Sequence, residues 1–168
     1  MVLSGSRRRV VVAGGGVHSS GAHSAIRGLC ESLGLPVMTT INGRGAIPED
    51  HELSAGVLLG PPLGGLLIHE ALESAEVVLA VGTRLYEQTR GWGLDGLKRI
   101  RMDIDPTEIE RNAKADIGIV ADARQGLAAL IEAVGKHNRK RSSREDELNA
   151  LKAGLEAEYA ELVPQIDF

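Results

Sequence analysis

The sequence predicts an α/β domain of three layers, a mostly parallel sheet of five to six strands with helices on both faces. Three observations carry this. Short apolar runs recur without in–out alternation, the pattern of strands buried on both faces. Stretches with apolar residues at helical spacing lie between most of them. The composition is 43% hydrophobic but only 2% aromatic, so the core must be built from Val, Leu, Ile and Ala. With 168 residues the chain is long enough for one domain with a real core.

The first run, Arg9–Ala13, reads as a buried strand that ends in glycines. A helix is predicted from about Ser20 to Leu33, with Ala22, Ala25, Ile26, Leu29, Cys30 and Leu33 on one face. Ser19 or Ser20 supplies its N-cap and Gly34 its C-terminal stop. Pro36–Thr40 is the second strand. Ile41–Gly60, punctuated by glycine and proline, reads as loop. A helix over about Gly65–Ala75 leads to a third strand, Val77–Val81, and a fourth follows at Arg99–Ile104. Asp105, Pro106 and Glu108 stand at N-cap, N1 and N3 of a short helix. Ile117–Val120 is the fifth strand. Asp122 then caps a helix with Leu127, Leu130, Ile131 and Val134 inward.

The composition changes at Lys136. Lys136–Arg144 is basic, polar and without aromatics, which reads as a solvated linker rather than a nucleic-acid tail. A last helix from Ser143 carries Leu148, Leu151, Leu155 and Leu162 and ends at Pro164. Residues 1–135 thus form the domain and residues 136–168 a linker plus helix. The final Gln165–Phe168 lacks a closing element, so the expectation is a piece of a longer protein.

Net charge is −4 and the pI is near 5.7, so nothing draws the whole chain to nucleic acid or membrane. One cysteine, Cys30, excludes an intrachain disulfide and a multi-cysteine zinc site. No stretch of about 18 apolar residues exists to span a membrane. Met1–Ser6 is too short and polar for a signal peptide, so a cytoplasmic location is expected.

The chemistry-bearing residues sit at strand ends. Gly14, Gly15 and Gly16 follow the first strand, where glycines let backbone approach a phosphate and a helix N-terminus favours it. The same turn also reads as a tight strand-to-helix connection with no ligand. The third strand ends in Gly82, Thr83 and Arg84, whose cation suits a phosphate or forms a surface ion pair. Asp103 and Asp122 end the fourth and fifth strands, and Asp122 and Asp105 double as helix caps. All these ends belong on one edge of a parallel sheet, where such Rossmann-like folds bind ligands. The dehydrogenase fingerprint is incomplete. Ser19 stands at its third glycine, and the second strand ends Thr39-Thr40-Ile41-Asn42 with no ribose-holding acid. Catalytic sets are missing too: there is no Gly-x-Ser-x-Gly and no metal spacing among His18, His23, His51, His69 and His137. Cys30 lies on an apolar helix face and reads as core. His51, inside Glu49–Glu52, reads as part of a solvated charged loop.

As a set, Arg9–Val17, Leu35–Thr40, Gly43–His51, Gly82–Arg84 and Met102–Pro106 resemble the central domain of thiamine-diphosphate-dependent enzymes, of the acetolactate synthase and benzoylformate decarboxylase kind. The resemblance covers about Arg9–Val134, and Glu158–Gln165 is similar to the linker into that family's pyrophosphate-binding domain. It implies a parent enzyme of three α/β domains, a lyase or transferase acting on 2-oxo acids. In that parent, thiamine diphosphate and magnesium are held by the other domains. A glutamate of the first activates the thiazolium, and a Gly-Asp-Gly…Asn motif of the third holds the metal; this chain has no Gly-Asp-Gly. The central domain is structural in many members and binds the ADP part of FAD, or ADP itself, in others. Matched position by position, the contacts would be Gly14, Gly15, Gly16, Thr40, Ile41, Gly82, Thr83, Arg84, Asp103, Ile104 and Asp122. Two departures stand at Leu85–Arg90, where the flavin branch has Phe-Asp-Asp-Arg, and at Leu59–Leu63, where it has Gly-Met-His-Gly.

The resemblance implies a middle domain that is inactive alone. Its partners would be the other domains of the parent chain and, in the parent, a second copy in a dimer or tetramer; nucleic acid and membrane are not expected. A free-standing nucleotide-binding module is the alternative reading of the same strand ends. A sirtuin-like deacylase shares the glycine turn and Ser20-Gly21, but its four zinc cysteines are not here.

Overall fold

The computed structural model describes residues 8–58, 74–85 and 96–135, and residues 149, 150, 152–154, 156, 157 and 160, which are helical. Most of the helix expected over 65–75, the departures at 59–63 and 86–90, and the linker at 136–144 lie outside the described residues. The rest is an α/β domain whose six-stranded sheet is parallel throughout. In chain order the elements are β1 (Arg9–Ala13), α1 (Gly16–Ser19), α2 (His23–Leu33), β2 (Val37–Thr39), β3 (Ser54–Val57), β4 (Val77–Val81), β5 (Lys98–Asp103), β6 (Ile117–Val120) and α3 (Ala123–Gly135). The sheet order is β3-β2-β1-β4-β5-β6. β1 pairs Val11 with Val37 of β2 on one side and Val11 with Leu79 of β4 on the other.

Burial follows from that order. β1, β2 and β4 lie inside the sheet with every residue buried, which is why their sequences show no alternation. β6 is an edge strand and leaves Ile117 and Val120 exposed. α2 and α3 pack against each other on one face. From α2, Ile26, Leu29, Cys30 and Leu33 enter the core; each buried Leu or Ile stabilises by about 2 kcal/mol. Gly126 brings α3 onto β5, where an added Cβ would meet Met102 Sδ at 2.7 Å. Gly34 closes α2 in the left-handed conformation, and Asp122 Oδ1 accepts the Arg124 and Gln125 N–H groups at the start of α3, both as the sequence predicts. Among the described residues no helix is long and apolar enough to cross a membrane.

Three local expectations are corrected. The first helix does not begin at Ser20. α1 is a separate turn, Gly21 breaks it at φ +60°, and α2 starts at His23 with no side-chain cap. The Ser19 and Ser20 hydroxyls donate back to the Gly15 and Gly16 carbonyls instead of capping. The loop expected over 41–60 contains β3, whose Ser-Ala-Gly-Val sequence has weak strand propensity and pairs with β2 through a register shift. His51 is not part of a solvated cluster. Its Nδ1 accepts the Leu53 N–H, so its proton sits on Nε2 and bonds Glu31 of α2 at 3.2 Å. The same loop accepts Lys152 Nζ at the His51 and Glu52 carbonyls.

The turns after β1 and β4 touch backbone to backbone. The Gly14 N–H donates to the Val81 carbonyl at 2.9 Å and the Gly16 N–H to the Gly82 carbonyl at 3.0 Å. A Cβ on Gly14 would collide with the Gly82 carbonyl oxygen, and one on Gly16 would lie 2.6 Å from Gly82 Cα. The glycines are therefore demanded by the close approach of two backbones. Gly82 itself sits at φ +56°, where a side chain adds strain.

Two predictions follow from packing. Gly14→Ala or Gly16→Ala lowers stability by about 3 kcal/mol, because backbone must move. Gly28→Ala, inside α2 with only Ile131 Cδ1 at 3.9 Å, raises it by about 0.5–1 kcal/mol through helix propensity. Denaturant midpoints check both signs; equal effects would contradict the packing account. The second concerns Cys30, which is fully buried, and burial followed by the nearby Glu31 charge pushes its thiol far above the ordinary range. The unfolded thiol ionises near pH 8.5 and the folded one does not. Stability contributed by the neutral thiol is thus full below that pH and falls as pH rises above it. Cys30→Ala should flatten the alkaline limb of a stability–pH curve by one proton's slope, and the native thiol should react with alkylating reagents only as fast as the protein opens.

Candidate functional site

Six parallel strands put six carboxyl ends on one edge, and ligands of open parallel sheets bind there, usually where the strand order reverses. Here the reversal falls between β1 and β4. That position is closed by the glycine crossing. The amides of Gly14, Gly16, Val17 and His18 are already bonded to protein carbonyls, so most of the turn's donors are taken within the protein. The open ground lies to one side, over β4, β5 and β6. A cleft of about 370 Å³ is lined there by Gly16, Ser19 and Ser20 after β1, by Gly82 and Arg84 after β4, by Asp103, Ile104, Asp105 and Glu108 after β5, and by Asp122 after β6. Its size lies within the range of about 300–1,000 Å³ usual for small-ligand sites.

Six of the residues read from the sequence meet in this cleft: Gly16, Gly82, Arg84, Asp103, Ile104 and Asp122. Five do not line it. Gly14 is buried in the crossing, and a Cβ on Gly15 would face Asn42 at 3.3 Å. Thr40 Oγ1 accepts the Gly43 N–H and caps a short turn on the β2 side, with Ile41 exposed beside it. Thr83 turns back into the protein, its Oγ1 accepting the Leu85 N–H. Leu85 holds φ +43° there, a conformation costing on the order of 1 kcal/mol that its burial helps to maintain. His18 and His23, which the sequence left without a role, stand 2.8 Å apart and tie α1 to the Arg44 carbonyl at 3.0 Å, away from the cleft.

The cleft is acidic. Among the described residues, Asp103, Asp105, Glu108 and Asp122 line it against one cation, Arg84. Asp105 caps the turn at Pro106–Glu108. Its Oδ1 accepts both the Thr107 hydroxyl and the Thr107 N–H at 2.8 Å, which holds its carboxyl below the usual range. Asp103 and Asp122 each use Oδ1 on backbone N–H groups, and among the described residues Oδ2 of each accepts nothing. Glu108 departs from the capping-box geometry its position implies. The Asp105 N–H goes to Asp103 instead, and Glu108 turns inward. Its Oε1 meets Arg111 at 2.9 Å and Arg84 at 3.7 Å; its Oε2 is buried without a hydrogen-bond partner among the described residues.

One residue behind the wall was not singled out from the sequence. Arg101 of β5 is 1% exposed and, among the described residues, has no carboxylate within bonding distance. Its Nη1 donates to the carbonyls of Ile109, Arg111 and Ala113, and its Nη2 to that of Thr83. A single guanidinium thereby ties the loop carrying Arg84 to the loop carrying Glu108 and Arg111. Burial lowers its pKa, and the charges of Asp103, Glu108 and Glu110 oppose that; an arginine stays protonated under such a load. Asn112 adds a bond from Nδ2 to the Arg84 carbonyl at 2.8 Å. The available signal was an arginine set between Ile100 and Met102, the apolar stretch of β5.

These groups fit the nucleotide part of FAD, or ADP. Arg84 is a mobile-length cation for a diphosphate, the free carboxylate oxygens accept from ribose hydroxyls or an amino group, and exposed Ile104 offers an apolar surface. The chain has no Gly-Asp-Gly, and the described residues hold no group of three His, Cys, Asp or Glu placed for a metal.

Residues 1–130 match the family described as thiamine pyrophosphate enzyme, central domain. A probable acetolactate synthase large subunit of Methanocaldococcus jannaschii is 38% identical over 136 residues, covering 79% of this chain and 23% of that protein. Glyoxylate carboligase of Escherichia coli O157:H7 is 35% identical over 134 residues, covering 78% and 22%. Among solved structures, a putative thiamin diphosphate-dependent enzyme from Mycobacterium smegmatis superposes with a TM-score of 0.64 at 25% identity, covering 78% of this chain and 25% of that one. The chain thus spans about a quarter of the length of the relatives it matches. A parallel sheet in this order, the glycine crossing and a family match over most of the chain lead to one conclusion: the protein belongs to the thiamine pyrophosphate enzyme central-domain family.

Proposed function

We propose that this chain acts as the central domain of a thiamine-diphosphate-dependent lyase or transferase of 2-oxo acids, of the acetolactate synthase kind, and that it is inactive alone. Its role there is structural, with the cleft over β4–β6 holding the ADP part of FAD, or ADP. The observation that carries the nucleotide reading is the cleft itself, in which Arg84, Asp103, Ile104 and Asp122 converge from three strand ends and Asp103 and Asp122 each keep a carboxylate oxygen unbonded among the described residues. The catalytic reading is supported by the relatives, which include acetolactate synthases and a glyoxylate carboligase. The inactivity of the chain alone is supported by the missing Gly-Asp-Gly. The other domains of a parent chain, and a second copy of it, are the proposed partners.

Arg84 is the group on which an anionic ligand would depend most, since the Ser19 and Ser20 hydroxyls already donate to backbone carbonyls. Calorimetry and thermal melts with ADP and FAD test the reading. Binding at or below millimolar ligand is expected, and Arg84→Ala should weaken it about tenfold, the usual size of a lost charge-assisted contact. No heat and no melting shift with either ligand would reject the nucleotide role. Turnover of pyruvate or glyoxylate by the chain alone, with thiamine diphosphate and magnesium added, would reject the claim that it is inactive alone.

A further inference from the structure

We propose that His18 and His23 form a two-imidazole site for a divalent transition-metal ion of the copper or nickel kind, and that the ion fastens α1 to α2.

The fold builds this pair where the sequence shows no ligand spacing. The two histidines stand five positions apart, which is not a helical repeat. α1 ends at Ser19, the chain turns at Gly21 with φ +60°, and α2 begins at His23. That turn brings His18 Nδ1 to 2.8 Å from His23 Nε2. The core fixes the spacing. Val17 and Ala22, the neighbours of the two histidines, are fully buried, and the Ala22 N–H donates to the Val17 carbonyl at 2.9 Å. Both rings are exposed, so an ion reaches them from solvent.

The hydrogen bonds already set the rings for a metal. His18 Nε2 meets the Arg44 carbonyl at 3.0 Å; a carbonyl only accepts, so that nitrogen carries the proton and Nδ1 keeps its lone pair. A backbone carbonyl on the far nitrogen is the usual support of a metal-bound imidazole. Arg44 itself has its side chain paired with Glu49, which offsets its charge. In the metal-free pair His23 Nε2–H donates to His18 Nδ1. When an ion enters, that proton moves to the exposed Nδ1 of His23, and both rings bind neutral. Two nitrogens in cis positions, each about 2.0 Å from an ion, lie about 2.8 Å apart, whereas tetrahedral corners lie about 3.3 Å apart. The observed 2.8 Å therefore matches square-planar or tetragonal coordination, the preference of Cu2+ and Ni2+ over Zn2+. Among the described residues no third His, Cys, Asp or Glu joins the pair, so water fills the remaining positions.

The test titrates Cu2+, Ni2+ and Zn2+ into the full chain, free of any histidine tag, by calorimetry. One Cu2+ should bind per chain, at least about tenfold more tightly than Zn2+. Its electron paramagnetic resonance spectrum should show two equatorial nitrogens. His18→Gln and His23→Gln, both at exposed positions, should each remove one nitrogen and weaken Cu2+ at least about tenfold, while His137→Gln changes neither. A hundredfold excess over the dissociation constant should raise the melting temperature by about 5 °C, and chelation by EDTA should reverse it. Cu2+ affinity unchanged in both variants, or a spectrum with one nitrogen in the native chain, overturns the site. Zn2+ binding as tightly as Cu2+ overturns the coordination assigned to it. Binding without a melting shift overturns the fastening of α1 to α2.

Discussion

The contact between the β1 and β4 turns organises everything at the carboxyl edge. Two backbones approach within hydrogen-bonding distance because no side chain stands at Gly14, Gly16 or Gly82. Gly43 repeats the arrangement one strand over, where an added Cβ would strike the Ala13 carbonyl. The result is a closed seam where an open sheet of this order would ordinarily present its crevice. The open cleft lies over β4, β5 and β6, whose ends bring Arg84, Asp103 and Asp122 to it. A glycine-rich turn in this position thus defines a site by excluding it from one place.

The displaced cleft depends in turn on a hidden cation. Arg101 bonds four carbonyls in two loops, and through them sets the backbone that carries Arg84, Glu108 and Arg111. Its partners are neutral dipoles, so its charge remains to offset the carboxylates around the cleft, Asp103 and Glu108 among them. Arg111 at 2.9 Å and Arg84 at 3.7 Å share Glu108 in this wall.

Much of this was legible in the sequence, for a reason specific to each element. Strands buried on both faces advertise themselves as short runs without in–out alternation, and β1, β2 and β4 lie where those runs predict. The Asp105 and Asp122 caps and the Gly34 stop depend on neighbours within a few residues, so they too could be read. β3 could not, because Ser54, Ala55 and Gly56 are poor strand formers held only by pairing to β2. The glycine turn was recognised but its two roles stayed open, since the deciding contact lies 66 to 68 residues away at Gly82. Glu108 was read as a helix-terminal residue. Its inward turn requires knowing that Asp103 takes the Asp105 N–H and that Arg84 and Arg111 wait on the other side. Position in the chain placed the acids; tertiary contacts decided which keep a free oxygen.

The central claim is that the ligand space lies beside the glycine crossing and not upon it. Backbone amide NMR during an ADP titration tests that residue by residue. The account predicts shifts concentrated at Gly82, Arg84, Asp103, Ile104, Glu108 and Asp122, with Thr40, Ile41 and Gly15 nearly still. Shifts centred on Gly14, Gly15 and Thr40, with the β5 and β6 ends unmoved, would contradict it.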